Sequence, residues 1–338
     1  MRKLTLLLAV LLLLIAGIVP VFAQDDTDDN FAVQITWSPD SSQIATSYVD
    51  GRVEIYDINS REAITSFTAF EGSFLVLQLS WHPALPWIAL GGTNGRLEIW
   101  DVSVPQRVDN TLVPSSGDIS ALSWNPDGNF LLISDRGGDI ESFYVWDQLV
   151  DNPVYSANIA TANAISWNNE AQFAIFTDGA GIQIYDAESY ELISNIGFSF
   201  LEMNNLLQAY LLTAGDWNTT DNKIVAATIE RRVEVWQVDT GELIFHADGI
   251  ASKEQGLHPN IIRAAWFSPD GSTVRAVGGD GTYRTWDAQN GHLINDEQLP
   301  LVADFLRDAA LSPDRTRIAY IEDGKTGPQI VDVHAKGR

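Results

Sequence analysis

The chain has 338 residues, a formal net charge of −25, 45% hydrophobic residues and no cysteine. A surface this acidic repels phosphate backbones, which argues against nucleic acid as a partner. Without thiols there are no disulfides, so packing alone has to hold the fold.

The first element is a targeting segment. Arg2 and Lys3 precede an uninterrupted apolar run, Leu4–Val19. Pro20 breaks the run, and Val21-Phe22-Ala23 fits a small-residue cleavage rule at its first and third positions. The pattern predicts a secretory signal peptide over 1–23, cleaved before Gln24. Leu4–Ala23 could just reach across a bilayer, so an uncleaved anchor is the competing reading. Cleavage takes the charge from −25 to −27 and leaves a short acidic tail over 24–31. The expected location is secreted, periplasmic or cell-envelope, with no stable membrane anchor after cleavage.

Seven copies of one unit follow. They run Ile35–Asp57, Leu79–Asp101, Leu122–Asp147, Ile165–Asp186, Ala214–Gln237, Ala264–Asp287 and Ala309–Asp332. Most read as a strand, a turn of the Ser-Pro-Asp-Gly kind, a second strand, a Gly-containing turn and a third strand, while the fifth has lost the Pro and the last Asp. The first-strand aromatic is Trp at 37, 81, 124, 167, 217 and 266, with Leu311 in the last copy. The spacings are 44, 43, 43, 50, 49 and 45, a period that predicts propeller blades. Third strands such as Arg52-Val53-Glu54-Ile55-Tyr56 alternate with period two, as half-buried strands do. More polar fourth strands are expected at Glu62–Thr68, Arg107–Val113, Leu192–Ile196 and Glu242–His246. The expectation is an all-β, seven-bladed β-propeller over 32–338. Its last blade is expected to be three-stranded, with about Gln329–Val333 as an open edge.

The strand endings Tyr56-Asp57, Trp100-Asp101, Trp146-Asp147, Tyr185-Asp186 and Trp286-Asp287 carry a resemblance to WD-repeat propellers. The turns Asp50-Gly51, Asn94-Gly95 and Asp280-Gly281 fit the same pattern. The resemblance covers nearly the whole mature chain. No copy has the family's Gly-His dipeptide ahead of the first strand, so its usual hydrogen-bond set is incomplete and apolar packing is expected to compensate. Leu311-Ser312-Pro313-Asp314 and Ile133-Ser134-Asp135-Arg136-Gly137-Gly138 also resemble TolB-type propeller repeats.

Two insertions, Phe198–Tyr210 and Ala247–Asn260, lengthen the links on one propeller face. Phe198, Phe200, Leu201 and Met203 make an apolar cluster in the first, suited either to a partner or to plugging the propeller face. His258 lies in the second and is the histidine worth testing. The five histidines show no metal-ligand spacing, and without cysteine no zinc site is expected. No Gly-x-Ser-x-Gly elbow presents a nucleophile. The Asp-Gly turns lack the alternating acidic run of a calcium loop, so no metal or cofactor is expected. His82 replaces a turn serine and reads as a solvated turn residue. Trp87 falls outside the period, in a turn region, and reads as an exposed-aromatic candidate. The other tryptophans mostly read as filler between blades.

These features predict a monomeric, non-enzymatic scaffold that binds a protein partner on the inserted face. The alternatives are a TolB-like envelope assembly factor, or an enzyme or lectin using the central channel mouth. Convergent carboxylates around a bound ion would mark the last of these.

Overall fold

The computed structural model describes residues 30–70, 75–112, 117–137, 142–147, 153–158, 161–168, 172–177, 181–197, 212–218, 220, 222–229, 231–247, 261–301, 305–323, 325 and 327–333. Among them lie six four-stranded antiparallel sheets and one three-stranded sheet. The first is β1 (Ala32–Trp37), β2 (Gln43–Tyr48), β3 (Arg52–Asp57) and β4 (Ala63–Thr68). The second is β5 (Val76–Trp81), β6 (Trp87–Gly92), β7 (Arg96–Asp101) and β8 (Gln106–Leu112). The third is β9 (Asp118–Trp124), β10 (Phe130–Arg136), β11 (Ser142–Asp147) and β12 (Pro153–Asn158). The fourth is β13 (Ala162–Trp167), β14 (Gln172–Thr177), β15 (Ile182–Asp186) and β16 (Leu192–Ile196). The fifth is β17 (Leu212–Asn218), β18 (Lys223–Thr228), β19 (Val233–Gln237) and β20 (Leu243–Ala247). The sixth is β21 (Ile262–Phe267), β22 (Thr273–Gly278), β23 (Thr282–Asp287) and β24 (Leu293–Gln298). The three-stranded sheet is β25 (Leu306–Leu311), β26 (Arg317–Glu322) and β27 (Gln329–Asp332). Strands follow chain order within every sheet, so each is a meander, and the six four-stranded ones are propeller blades.

Burial follows position in the blade. Second strands such as β2, β6, β14 and β18 are buried at every residue but the first. They sit between neighbouring blades, which is why their sequences read as short continuous apolar runs. Outer strands β4, β16 and β24 are largely exposed. Each apolar cluster joins two successive sheets; Ala45, Val53 and Ile55 of the first pack with Leu79, Ile88 and Leu90 of the second. The same packing closes the ring, where Ile35, Trp37 and Ile44 meet Ala319 and Ile321 of the three-stranded sheet. Trp37 Nε1 donates to the Ala310 carbonyl at 3.0 Å, and Arg317 Nη2 donates to the Ser41 carbonyl at 2.8 Å.

The first-strand tryptophans face the preceding blade. Trp37, Trp81, Trp124 and Trp217 are at most 9% exposed, and each belongs to the cluster shared with the sheet before it. The sixth blade corrects the register read from sequence. Phe267, not Trp266, pairs with the second residue of the following strand, as Trp37 does with Ile44. Phe267 accordingly packs back against the fifth blade, while Trp266, one residue earlier, points to the next sheet. A one-residue offset exchanges the faces of a strand, so adjacent aromatics serve two different interfaces.

The residue after the first strand closes the first hairpin. Ser38 and Ser268 accept from the Gln43 and Thr273 amides at 2.9 and 3.0 Å. Asn125 and Asn168 do the same with their side-chain oxygens, each at 2.9 Å. His82 occupies this position and is not a solvated turn residue: it is 3% exposed. Its Nδ1 accepts from the Ala84 and Leu85 amides at 3.1 and 2.9 Å. Nε2 therefore carries the proton and donates to the Gly128 carbonyl of the third blade at 3.1 Å. Gly128 has φ +75, and a Cβ there would fall 2.4 Å from the imidazole. Trp87 also departs from the expectation. It opens β6, is half-buried, and lies edge-on to His82 at 5.8 Å.

β3 keeps the expected alternation, with Val53 and Ile55 buried between half-buried Arg52, Glu54 and Tyr56, but other third strands bury their glutamate as well. Glu98 and Glu234 are 2% and 3% exposed. Glu98 accepts from Trp100 Nε1 at 2.8 Å, from Arg107 at 3.0 Å and from the Phe70 amide at 3.1 Å. Trp236 Nε1 donates to Glu234 at 3.2 Å. Buried carboxylates met by indole N–H groups thus supply rigidity beyond the apolar packing expected in place of the missing Gly-His element.

Candidate functional site: the central channel mouth

Every first strand has a register shift near its start. The shift lies between Ala32 and Gln34 in β1, Val76 and Gln78 in β5, Leu306 and Asp308 in β25, and at matching places in the others. One residue per strand is thereby left out of the ladder, and such a bulge re-aims its side chain. These residues are Val33, Leu77, Ser120, Asn163, Thr213, Arg263 and Arg307, and all seven line a cavity of about 150 Å³ on the ring axis. The bulge is the device that builds the channel wall, one side chain per sheet.

The wall is polar and asymmetric in charge. Arg263 and Arg307 come from neighbouring strands, and Arg136 from the end of β10. Arg136 donates to Asn163 Oδ1, and Asn163 Nδ2 donates to the Leu212 carbonyl at 2.8 Å. Arg307 pairs with Asp323 and covers the Phe31 ring at 3.7 Å. Arg263 lies deep in the channel, with its Nε buried and without a hydrogen-bond partner. Burial pulls its guanidinium below the ordinary arginine value, an effect opposed by Asp308 and reinforced by Arg307.

Two carboxylates share the wall, and both face backbone amides. Asp118 accepts from the Asn94 amide at 3.0 Å. Asp308 accepts from the Ile35 and Ala309 amides, each at 2.9 Å. Burial pushes the Asp308 carboxyl up to about 6, against the pull of the Ile35 amide and Arg263. Both ends of the channel are lined by first strands, and beyond Arg263 it widens into a second space bordered by Asp216, Ser312 and Arg315. Arg315 Nη1 meets Asp216 Oδ2 at 2.8 Å, and the same oxygen accepts from the Phe267 amide at 3.1 Å. One carboxylate so ties together the fifth blade, the sixth blade and the three-stranded sheet.

Phe198, Phe200, Leu201, Met203 and His258, the candidates read from sequence, lie outside the described residues. So do residues 1–29, with the expected signal peptide. None of the wall residues was singled out from sequence. Their signal is positional: four residues ahead of the conserved first-strand position, where the copies carry unlike side chains. No group of three His, Asp or Glu able to hold a metal ion occurs among the described residues. Among them, no helix is long and apolar enough to cross a membrane.

Comparisons with known proteins agree with this architecture. Residues 108–140 and 254–287 match the family model described as WD domain, G-beta repeat. Residues 17–82 match the anaphase-promoting complex subunit 4 WD40 domain. These matches and the meander sheets support a WD-repeat propeller family for this chain. Among curated relatives it is similar to the APC/C activator protein CDC20 of Saccharomyces cerevisiae, 28% identical over 263 residues. The match covers 75% of this chain and 41% of that protein, so the chain spans well under half the length of the relative.

Proposed function

We propose that this chain is a non-enzymatic scaffold that binds another protein on the propeller face where the channel mouth opens. The three-stranded sheet counts as the seventh blade of the ring in this reading. The observation that carries it is the length of two links at that face. The chain leaves β16 at Ile196 and returns at Leu212, and leaves β20 at Ala247 and returns at Ile262, whereas β12 and β13 are separated only by residues 159–161. A blade needs only the short form, so the extra chain is available for recognition. The WD repeats and the relative named as an activator protein support an interaction role. The N-terminal pattern supports an extracytoplasmic setting, with the mature protein starting at Gln24.

The test is capture from the native envelope by the tagged protein and by the double variant Phe200→Ser/Met203→Ser. Anchoring side chains predict a loss of about 1–3 kcal/mol in partner binding with Tm unchanged. Unchanged capture refutes the assigned face. N-terminal sequencing of exported material, with Gln24 expected first, tests the compartment; an intact Met1 in a membrane fraction refutes it.

A further inference from the structure

The channel wall concentrates positive charge in a protein of net charge −25. Arg136, Arg263 and Arg307 outnumber Asp118 and Asp308 around a cavity of about 150 Å³, the space of about five liquid waters. Arg263 and Arg307 each bury a guanidinium Nε that has no hydrogen-bond partner. A buried guanidinium Nε without a partner is costly, and Arg307 next to Arg263 adds like-charge repulsion. Asp308 cannot turn to relieve this, because both its oxygens are held by backbone amides. The amides of Gln34, Gln78 and Asn163 and the hydroxyls of Ser120 and Thr213 ring the same space. An anion seated there would give Arg263 its missing acceptor and offset the repulsion between the two arginines.

We propose that the channel mouth is a binding site for a monocarboxylate, held by Arg263 and Arg307 and surrounded by the bulge-position side chains. Size and charge select the class. Arg307 already pairs with Asp323 through Nη2, so the buried Nε groups of Arg263 and Arg307 are left to meet a ligand of one negative charge, not two. A phosphate dianion would face Asp118 and Asp308 at close range in the same small volume. The planar fork of arginine also suits a carboxylate, because two parallel N–H groups meet two oxygens. The carboxylate can belong to a free small acid or to the C-terminus of a peptide.

The test is calorimetric titration of the full chain at constant ionic strength with four probes: acetate, N-acetylglycine, N-acetylglycinamide and inorganic phosphate. Binding of N-acetylglycine but not its neutral amide is expected. Equal binding of acetate assigns the site to free acids, and failure of acetate alone assigns it to peptide ends; both outcomes support the site. Arg263→Gln should weaken binding at least about tenfold, the usual scale for losing a charge-assisted hydrogen bond. Ser120→Asp, which adds a negative charge to the wall and touches neither arginine, should weaken it as well and covers a folding failure of the first variant. Equal binding of N-acetylglycine and its amide, wild-type affinity in both variants, or tighter binding of phosphate overturns the proposal.

Discussion

Replacing His82 with Ser tests the hairpin-closing role and the second–third blade contact together. Three hydrogen bonds are at stake, two accepted by Nδ1 and one donated by Nε2. Ala84 and Leu85 are exposed, so water can replace the acceptor for their amides. The Gly128 carbonyl is buried and loses its donor, at a cost of about 1–3 kcal/mol. The ring also packs against Trp124 at 4.9 Å, and loss of that contact costs about 0.5–1.5 kcal/mol more. The sum, about 1.5–4.5 kcal/mol, should appear as a lower denaturant midpoint at unchanged m-value.

The same site has a pH signature. Burial holds the His82 pKa below its ordinary 6.5, opposed by the Gly128 carbonyl. A proton on Nδ1 would face two N–H groups and lose both bonds. The unfolded chain therefore binds this proton more readily than the folded one, and stability falls as pH drops below about 6.5. The slope approaches about 1.4 kcal/mol per pH unit until the folded ring titrates. Urea melts of wild type and His82→Ser at pH 7.5, 6.5 and 5.5 isolate the term. The gap between the two proteins should narrow on acidification. A gap that stays constant or widens refutes the assigned tautomer and its bonds.

Asp216→Ala removes the acceptor shared by Arg315 and the Phe267 amide and should cost about 1–3 kcal/mol in chemical unfolding, with a smaller loss in Asp216→Asn. Combining it with Arg315→Ala should cost less than the sum of the single variants. Gly215→Ala would place a Cβ 2.1 Å from the Phe176 ring and should lower stability by about 1–3 kcal/mol, partly restored by adding Phe176→Leu. At the outer edge of the three-stranded sheet, Val333 donates inward to the Thr316 carbonyl, so Ile330 and Asp332 turn their amides outward. Hydrogen exchange should be fast at those two residues and slow at Val331; protection of all of them in a dilute monomer refutes an open edge.

Blade repetition was legible because the turn residues and the aromatic period belong to the backbone of each unit. The outer strands were also placed within a residue or two, because they follow turns such as Asp239-Thr240-Gly241, although Leu192, Ile193 and Leu243 leave them less polar than expected. Register in the sixth blade was not legible: Trp266 and Phe267 are both suitable core residues, and only the pairing of Phe267 with Val274 decides which fills the common position. His82 was misread because a turn residue was equated with a wet one, whereas its partner Gly128 lies on another blade. The channel wall was invisible for a different reason. A bulge has no residue signature of its own, and Val33, Ser120 and Arg263 share nothing but position.

Ring closure by side chains has an entropic consequence. Successive blades are joined by links of at most about fifteen residues, so a parted interface between them stays tethered and re-forms quickly. The first blade and the three-stranded sheet are joined only through all the intervening chain, since Ile35 and Asp308 are 273 residues apart. Loop-closure entropy makes that contact costlier than one across an eight-residue link by about 3 kcal/mol, when all the intervening blades are free to move. The burden falls on Trp37, Ser41, Asp308, Asp314 and Arg317, whose bonds cross this boundary. Fluctuations should open the ring there like a split washer, and a circular permutation that joins β27 to β1 would shift the weak point to wherever the new ends are cut.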